Sequence, residues 1–157
     1  MRYILCLDPG GTTGWALFTI ANDQPLTLVD CGMIPGGLRG FKKWWKTSWA
    51  VQLYRTYRGT LVVEDFLVDG RTKNPDLQPL EIVSGLTMHL DEPFILQRNQ
   101  MKGHAPDAFL KKWGLWQPGA GHDRDAIRHG FAYARTLTPR HKPSYDKYWP
   151  DRRAIDV

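Results

Sequence analysis

Two carboxylates in this chain stand where a buried strand could hold them for chemistry. Asp8 closes an apolar run at residues 3–7 and precedes a Gly-rich segment at residues 9–14, while Glu64 closes a second apolar run at residues 61–63. A carboxylate at the mouth of a buried strand is costly unless a cation compensates it, and glycines let a metal, a phosphate or a nucleic-acid backbone come close. The two acids therefore indicate a cation site. An Asp that only caps the turn and a Glu that only begins a surface loop are the structural alternatives.

A third acid and a histidine come from residues 121–129, which have the pattern of a helix start. His122 and Asp125 would share one face of that helix, because residues three apart are neighbours on its surface. Asp123 is turned away by about 100° and is better placed to serve the helix N-terminus, where an acid is favourable. His129 lies one turn beyond Asp125 and is expected to stand behind the site. For His122, a histidine that is only packed in the structure is the alternative.

Asp8, Glu64, His122 and Asp125 together supply three carboxylates and an imidazole from two strands and one helix. This set suits two hard divalent cations about 4 Å apart, the arrangement used for in-line phosphoryl chemistry. The acids must be ionised to bind metal, and the metal removes their mutual repulsion. Imidazole is less usual for Mg²⁺ and eases the use of Mn²⁺. We therefore expect two Mg²⁺ or Mn²⁺ ions, one to activate water and one to stabilise the leaving oxygen.

The elements that must position these residues follow from the spacing of apolar residues. Strands are predicted at 3–8, 15–20, 27–34, 60–64 and 94–97, and helices at 39–57, 77–90, 106–113 and 122 to about 137. Short turns join the first three strands, and the later strands alternate with helices. The pattern predicts an α/β protein with a mixed sheet, a three-strand antiparallel meander plus two parallel strands, and helices on both faces.

Aromatic residues mark the first predicted helix, 39–57. Its apolar face carries Phe41, Trp44, Trp45, Trp49 and Leu53. We interpret this stripe as core, with a base-stacking surface as the alternative. The polar segment that follows Glu64, residues 68–76, is predicted to be a loop.

The composition limits the class of protein. A length of 157 residues is typical of one domain, predicted to span residues 1–138 with a tail at 139–157. The net charge of +5 favours an anionic partner. The sequence has no apolar stretch near the roughly 18 residues that span a bilayer and no signal-peptide pattern, so we expect a cytoplasmic protein without a membrane partner. Cys6 and Cys31 are predicted to be buried free thiols in a reducing compartment.

Three motifs, in this order, resemble the RuvC branch of the RNase H-like (retroviral-integrase) superfamily. They are residues 7–10 with 13–16, residues 62–64, and His122-x-x-Asp125-Ala126. The resemblance spans roughly residues 3–137. It implies that Asp8 is the acid of the first strand, Glu64 that of the fourth strand and Asp125 that of the last helix. The family has Asp in many members and His in some at the position of His122.

The resemblance also implies an activity and partners. Members are homodimeric, metal-dependent endonucleases that cut Holliday junctions symmetrically, so the implied reaction is phosphodiester hydrolysis in branched DNA. Segments 110–116 and 121–126 look like those of phage-encoded relatives, which would place the protein in the host cytoplasm. The stretch at residues 97–104 resembles the basic pattern of bacterial members only loosely, and this leaves sequence preference at the cut open.

Surfaces for DNA and for a second subunit can be suggested from residue type. Phosphate contacts need Lys or Arg near the acids, and the candidates are Arg71, Lys73, Arg98, Lys102, Lys111, Lys112 and Arg124. Symmetric incision needs two active sites related by a two-fold axis. The expected dimer contact is the helix at 77–90, through Leu77, Leu80, Ile82, Val83 and Leu86.

Three other functions remain open at this point. A nuclease of the same fold could act on flaps or forks, because shape recognition depends on the dimer and its loops. A DNA-binding or scaffold module of this fold without catalysis is a second possibility. The segment Asp8-x-Gly-x-x-x-Gly also resembles the phosphate-binding opening of actin-like and hexokinase-like phosphotransferases, although these need two such domains and an adenosine site.

Overall fold

The structure is a computed structural model that describes residues 2–21, 24–68, 70, 73–90 and 93–137. The tail predicted at 139–157, the candidate DNA contact Arg71 and turn residues 22 and 23 lie outside these ranges. The strands are β1 Arg2–Asp8, β2 Thr12–Ala21, β3 Gln24–Pro35, β4 Thr60–Asp65 and β5 Ile95–Arg98. The helices are α1 Gly37–Thr47, α2 Trp49–Thr56, α3 Gln78–His89, α4 Asp107–Lys112 and α5 His122–Thr136, and a 3-10 helix, Asn99–His104, follows β5.

The sheet confirms the predicted fold class. Its strand order is β3-β2-β1-β4-β5. The first three strands form the antiparallel meander, β4 runs parallel to β1, and β5 runs parallel to β4. Strands β2 and β3 are longer than predicted, because their far ends also pair, with Thr12 opposite Pro35. The second half of the Gly-rich segment therefore belongs to β2.

The register of the two central strands brings Asp8 and Glu64 together. β1 and β4 are parallel neighbours with Leu7 opposite Val63, so both acids leave the sheet at the same edge. Side chains alternate along a strand, and Val62 belongs to the core beneath α5. Glu64, two residues further along, faces the same side, as does Asp8 at the end of β1.

Helices cover both faces of the sheet, as predicted. One face packs against α4 and α5 in a core that includes Ile4, Phe18, Val62, Leu110 and Ile127. The other face packs against α1, α2 and α3 in a core that includes Leu5, Leu17, Phe41, Val51 and Ile82. Among the described residues, no helix combines the length and the apolar character needed to cross a bilayer.

The single helix predicted at 39–57 is wrong, because Ser48 divides it into α1 and α2. Ser48 has an extended backbone, and its hydroxyl accepts a hydrogen bond from the Ala50 N–H at 3.2 Å. Its own N–H donates to the carbonyl of Trp44 at 2.8 Å. Ser48 therefore ends one helix and caps the next, as Ser commonly does.

The break at Ser48 changes which residues of the second helix are buried. Phe41 is buried, and Trp44, Trp45 and Leu53 pack against the same core, as predicted. Trp49 is 48% exposed, so its assignment to the core was wrong. A helix that restarts at a cap has a new rotational phase, and α2 buries Ala50, Val51 and Tyr54 instead.

The apolar face of α3 mostly serves this chain's own core. Ile82 is fully buried and Leu86 is 3% exposed, packed beside the core of α1 and α2. These two residues therefore cannot be dimer contacts, and that part of the prediction was wrong. The same helical spacing that suggested an interface is the spacing of an ordinary core-facing helix. Leu77 remains 51% exposed.

The cysteines and the segment after β5 differ in part from the prediction. Cys6 is a buried free thiol, as predicted, whereas Cys31 is free but only partly buried. The 3-10 helix at Asn99–His104 has no counterpart in the prediction, and none of its residues is buried. It connects β5 to α4 and lies against α5.

Candidate active site

The shared edge of β1 and β4 holds two buried acids, Asp8 at 6% and Glu64 at 9% exposure. Helix α5 begins above this edge and brings two further predicted residues to it. His122 Nδ1 lies 3.1 Å from Asp8 Oδ2. Asp125 lies one turn further along α5. The Lys102 ammonium joins it to Glu64 and is 2.9 Å from each of the two carboxylates. The structure thus gathers Asp8, Glu64, His122 and Asp125 around one small space.

Two glycines allow α5 to approach the sheet this closely. A Cβ atom on Gly14 of β2 would lie 1.8 Å from the carbonyl oxygen of His122, and one on Gly130 of α5 would lie 2.3 Å from the Phe18 ring. Neither position has room for a side chain. The glycines of residues 9–14 were expected to let a ligand come close, but at Gly14 the backbone at the start of α5 comes close instead. This contact sets the distance of His122 and Asp125 from the strands.

Lys102, predicted as a DNA contact, lies inside the acid cluster. Its Nζ is 2.9 Å from Glu64 Oε2, 2.9 Å from Asp125 Oδ2 and 3.9 Å from Asp8 Oδ1. Its side chain is only 17% exposed. One ammonium therefore touches three carboxylates that come from two strands and a helix. Lys102 reaches this position because the 3-10 helix after β5 passes beside α5.

A second set of side chains holds the acids from behind. Arg128 donates to Asp125 Oδ1 and to Asp107 through its two terminal nitrogens, and its Nε donates to the Ala105 carbonyl at 3.0 Å. The ring of His129 is fully buried, and its Nε2 lies 2.8 Å from Glu64 Oε2. The expected place of His129 behind the site agrees with this contact. Arg128 was not singled out from the sequence, although its i,i+3 spacing from Asp125 was a usable signal.

Gln97 fixes the tautomer of His129. In the amide orientation that satisfies both ends, the Gln97 nitrogen donates to His129 Nδ1 at 2.8 Å and to the His129 carbonyl at 3.2 Å, and its oxygen accepts from the Tyr133 N–H at 3.1 Å. Nδ1 is then an acceptor, so the proton sits on Nε2 and is donated to Glu64. A neutral His129 orients the carboxylate without adding charge. The sequence signal for Gln97 was a polar residue at the end of a predicted strand. In the structure Gln97 is the one buried residue of β5 and pairs opposite Glu64.

The two buried acids have strongly displaced pKa values. Burial, followed by the hydrogen bond with Glu64 and the charge of Glu64, raises the pKa of Asp8 to about 9. Burial also acts to raise the pKa of Glu64, but hydrogen bonds with His129, Asp8 and Lys102 outweigh it and lower that pKa to about 2. The pair therefore shares one proton at neutral pH, held on the Asp8 side. Burial acts to lower the pKa of Lys102, but the surrounding carboxylates outweigh it and raise that pKa, so the group is a cation.

We expect Asp8→Asn to stabilise the metal-free protein. The folded-state pKa of Asp8 is about 9 against an ordinary 3.8, so the folded chain holds a proton that the unfolded chain releases between these values. The stability of the wild type therefore falls as pH rises through this window. An amide is neutral without taking up a proton, so the variant avoids this cost, about 1–3 kcal/mol. For a chain of this size, each kcal/mol corresponds to roughly 2–4 °C in Tm.

Calorimetry in the presence of a chelator measures this effect. The difference in Tm between Asp8→Asn and wild type should be larger near pH 8 than near pH 5. Glu64 titrates in the opposite sense, but only below its ordinary value of 4.5, and therefore below both pH values of this measurement. A variant no more stable than wild type at pH 8 would show that Asp8 is not held in a costly state.

The lysines among the other candidate DNA contacts are accessible. Lys73 and Lys112 are exposed. Lys111 is also exposed, with its Nζ 4.6 Å from the centre of the Trp116 ring. Each of these lysines can therefore reach a bound polyanion without breaking an ion pair to another described residue.

Both described arginines among these candidates are engaged within the chain. Arg98 forms an ion pair with Asp65 at 3.0 Å, on the face of β4 opposite Glu64. The guanidinium of Arg124 lies 4.1 Å from the centre of the Trp116 ring and donates to the carbonyls of Gln117 and Gly119. Through these contacts Arg124 binds the segment at residues 116–119 to the start of α5. Either arginine would have to leave these contacts to bind phosphate.

The donors of the cluster fit a divalent ion, although the side chains do not form a ready metal site. In the part of the chain that the structure describes, no group of three His, Cys, Asp or Glu residues is arranged to hold an ion. Instead, the Lys102 ammonium lies among Asp8, Glu64 and Asp125. Carboxylate oxygens with one imidazole are nonetheless the ligand types that Mg²⁺ and Mn²⁺ take. The place that Lys102 fills is one where the protein itself stabilises positive charge.

The sheet order, the parallel β1–β4 pair and the covering α5 define the RuvC-like RNase H fold. The structure of T. thermophilus RuvC in complex with a Holliday junction substrate matches with a TM-score of 0.60 and 14% identity, over 86% of this chain and 96% of that chain. A second Thermus thermophilus RuvC structure matches with a TM-score of 0.58 and 15% identity, over 85% and 96% of the two chains.

A viral resolvase is similar at a lower level. The fowlpox virus resolvase, solved with substrate Holliday junction DNA, matches with a TM-score of 0.46 and 17% identity, over 83% of this chain and 92% of that chain. No protein-family model matches the sequence, and no curated protein matches it significantly. The similarity is therefore one of fold.

Proposed function

We propose that this protein is a divalent-metal-dependent endonuclease that cuts branched DNA, with a four-way (Holliday) junction as its substrate. One observation carries the proposal: Asp8, Glu64 and Asp125 converge on a single cationic centre at the shared edge of two parallel strands. The fold supports it, because RuvC, solved with a Holliday junction substrate, has the same architecture.

Each residue of the cluster has a role in this proposal. Asp8, Glu64, His122 and Asp125 would hold Mg²⁺ or Mn²⁺, and two bound ions supply an activated water and a stabilised leaving oxygen. With Nδ1 of His122 directed at Asp8, Nε2 is the nitrogen left for a metal. Arg128 and His129 are positioning residues for Asp125 and Glu64.

The partners in this proposal are branched DNA and a second copy of the chain. The accessible lysines Lys73, Lys111 and Lys112, with Arg71, would contact phosphates, and Arg98, Lys102 and Arg124 would do so after leaving their present partners. Symmetric cutting of a four-way junction needs a homodimer, because one domain of this size has one acid cluster. The exposed Leu77, directly before α3, remains available for such a contact, whereas Ile82 and Leu86 of α3 do not.

Cleavage of a panel of DNAs tests the proposal. Labelled four-way, three-way, flap and linear substrates are incubated with the protein in Mg²⁺, in Mn²⁺ or in chelator. We expect paired, symmetric cuts in the four-way junction, only when a metal is present. Preference for flaps would assign the same chemistry to another substrate. Tight binding of junctions without cleavage in either metal would favour the non-catalytic DNA-binding alternative.

We expect His122→Ala to slow cleavage by at least about tenfold, because it removes a ligand and the hydrogen-bond partner of Asp8. His122→Asp should retain activity and shift metal preference from Mn²⁺ toward Mg²⁺, since carboxylate oxygen is the harder ligand. Single-turnover rates across titrations of both ions measure the two effects.

His89→Ala is a matched control, because His89 is exposed at the end of α3. It should behave as wild type in both metals. If His122→Ala and His122→Asp also match the wild-type rate and metal preference, His122 serves only to begin α5.

A further inference from the structure

We propose that Lys102 is an internal counter-cation that occupies the metal position of the metal-free protein and must be displaced when a divalent ion binds. The ammonium lies within 2.9 Å of both Glu64 and Asp125 and 3.9 Å from Asp8. These acids are the ligands of the proposed site, so the inference rests on the proposed function. An ammonium and a divalent cation cannot share one small cluster without strong repulsion.

The arrangement of the carboxylate oxygens supports displacement. Arg128 holds Asp125 through Oδ1, and Lys102 contacts Oδ2. His122 contacts Asp8 through Oδ2, and Lys102 faces Oδ1. Departure of Lys102 would therefore free one oxygen on each of these two acids, while the partners that hold the other oxygens stay in place.

The two cations of the cluster differ in how firmly they are held. Arg128 is anchored by the Ala105 carbonyl, Asp107 and Asp125 together. Lys102 extends from a 3-10 helix without any buried residue, and among the described residues its ammonium pairs with carboxylates alone. A flexible four-carbon stem lets the ammonium swing out while the backbone remains fixed by the hydrogen bond from the Ala105 N–H to the Lys102 carbonyl. Lys102 is therefore the cation that can leave.

Because Lys102 occupies the cluster, the protein should bind a divalent ion less tightly than the same ligands would bind it without Lys102. In the metal-free state Lys102 offsets the repulsion between Glu64 and Asp125, and an entering ion must break both 2.9 Å contacts. The metal affinity of the wild type is thus lowered by the free energy that Lys102 contributes to the empty cluster. Removal of the ammonium should tighten metal binding and loosen the metal-free fold at the same time.

Calorimetric titration of the DNA-free protein with Mn²⁺ or Mg²⁺ alone tests this directly. Lys102→Met keeps the length of the side chain and removes its charge, and Lys112→Met is the matched control because Lys112 is exposed on α4. We expect Lys102→Met to bind the ion at least about tenfold more tightly than wild type. It should also melt at a lower temperature in chelator and show a larger rise in Tm at saturating metal. Lys112→Met should match wild type in all three measurements.

A measurement on the wild type does not depend on how the variant folds. Acetylation of lysines by a water-soluble reagent, quantified by peptide mass spectrometry, reports the accessibility of each amine. Labelling of Lys102, whose side chain is 17% exposed, should rise when Mg²⁺ is added, while labelling of Lys112 should not change. Lys102→Gln provides a second neutral variant for the titration.

The outcomes separate the two proposals. Unchanged or weaker metal binding in both Lys102 variants, or unchanged labelling of Lys102 at saturating metal, would overturn the displacement while leaving the metal site intact. If neither wild type nor the variants bind Mg²⁺ or Mn²⁺, the proposed metal site itself fails, and the displacement fails with it.

Discussion

Asp8→Asn and Glu64→Gln are each expected to abolish DNA cleavage while leaving DNA binding intact. Both acids are buried at the edge of the sheet and face the same cationic centre. An amide keeps the shape of the side chain but cannot supply the negative charge that would hold a divalent ion. A loss of about 4 kcal/mol in transition-state stabilisation corresponds to roughly a thousandfold in rate. Binding should persist because the phosphate contacts would come from other residues.

Asp65 provides the matched control for these variants. It is adjacent to Glu64, but it faces the other side of β4 and pairs with Arg98 at 3.0 Å. Asp65→Asn should therefore cut a junction at close to the wild-type rate. Single-turnover cleavage and gel-shift binding of the three variants, in protein freed of contaminating nuclease, make the comparison. Retained cleavage in both Asp8→Asn and Glu64→Gln would refute the proposed mechanism.

Gly14→Ala should produce the second large effect, although Gly14 has no chemical group to offer. The new Cβ would lie 1.8 Å from the carbonyl oxygen of His122 and 2.8 Å from the Asp123 nitrogen. The start of α5 must therefore shift by about an ångström, and displacement on this scale can cost about a hundredfold in rate. Overpacking of this kind also lowers stability by about 1–3 kcal/mol. We expect a folded protein that melts earlier and cleaves poorly.

Gly85→Ala tests whether the effect belongs to the site. Gly85 lies in α3, where an added Cβ meets only the end of Leu38 at 3.9 Å. In a helix, Ala is favoured over Gly, so this variant should be at least as stable as wild type and fully active. Melting curves and cleavage rates of the two variants are sufficient. Wild-type cleavage by Gly14→Ala would mean that the position of α5 does not set the geometry of His122 and Asp125.

The sequence by itself determined those features that depend on local spacing. Short apolar runs and turn residues identified the five strands of the sheet that the structure describes, because an apolar run and the turn that bounds it lie within a few residues of each other. The acids at the ends of β1 and β4 could be paired in advance, since two parallel core strands end at one edge of a sheet. The i,i+3 spacing placed His122 and Asp125 on one face of α5, and both reach the cluster.

Other features were misread because a local pattern has more than one tertiary outcome. The apolar face of α3 suited either a partner or this chain's own core, and burial of Ile82 and Leu86 decided for the core. The aromatic stripe of residues 39–57 suited one long helix, but a single capping serine restarted the helix and left Trp49 exposed. Periodicity specifies which residues share a face, and only packing decides what that face meets.

The chemistry of the cluster was decided by tertiary structure alone. Lys102 lies 38 residues from Glu64 and 23 from Asp125 in the sequence, and nothing in its local pattern separates it from the exposed lysines of α4. Two further features likewise exist only in the folded chain. They are the proton shared by Asp8 and Glu64, and the neutral His129 ring with its hydrogen bond from Gln97. Charge interactions depend on distance and burial, and these are fixed when segments far apart in the chain meet at one edge of the sheet.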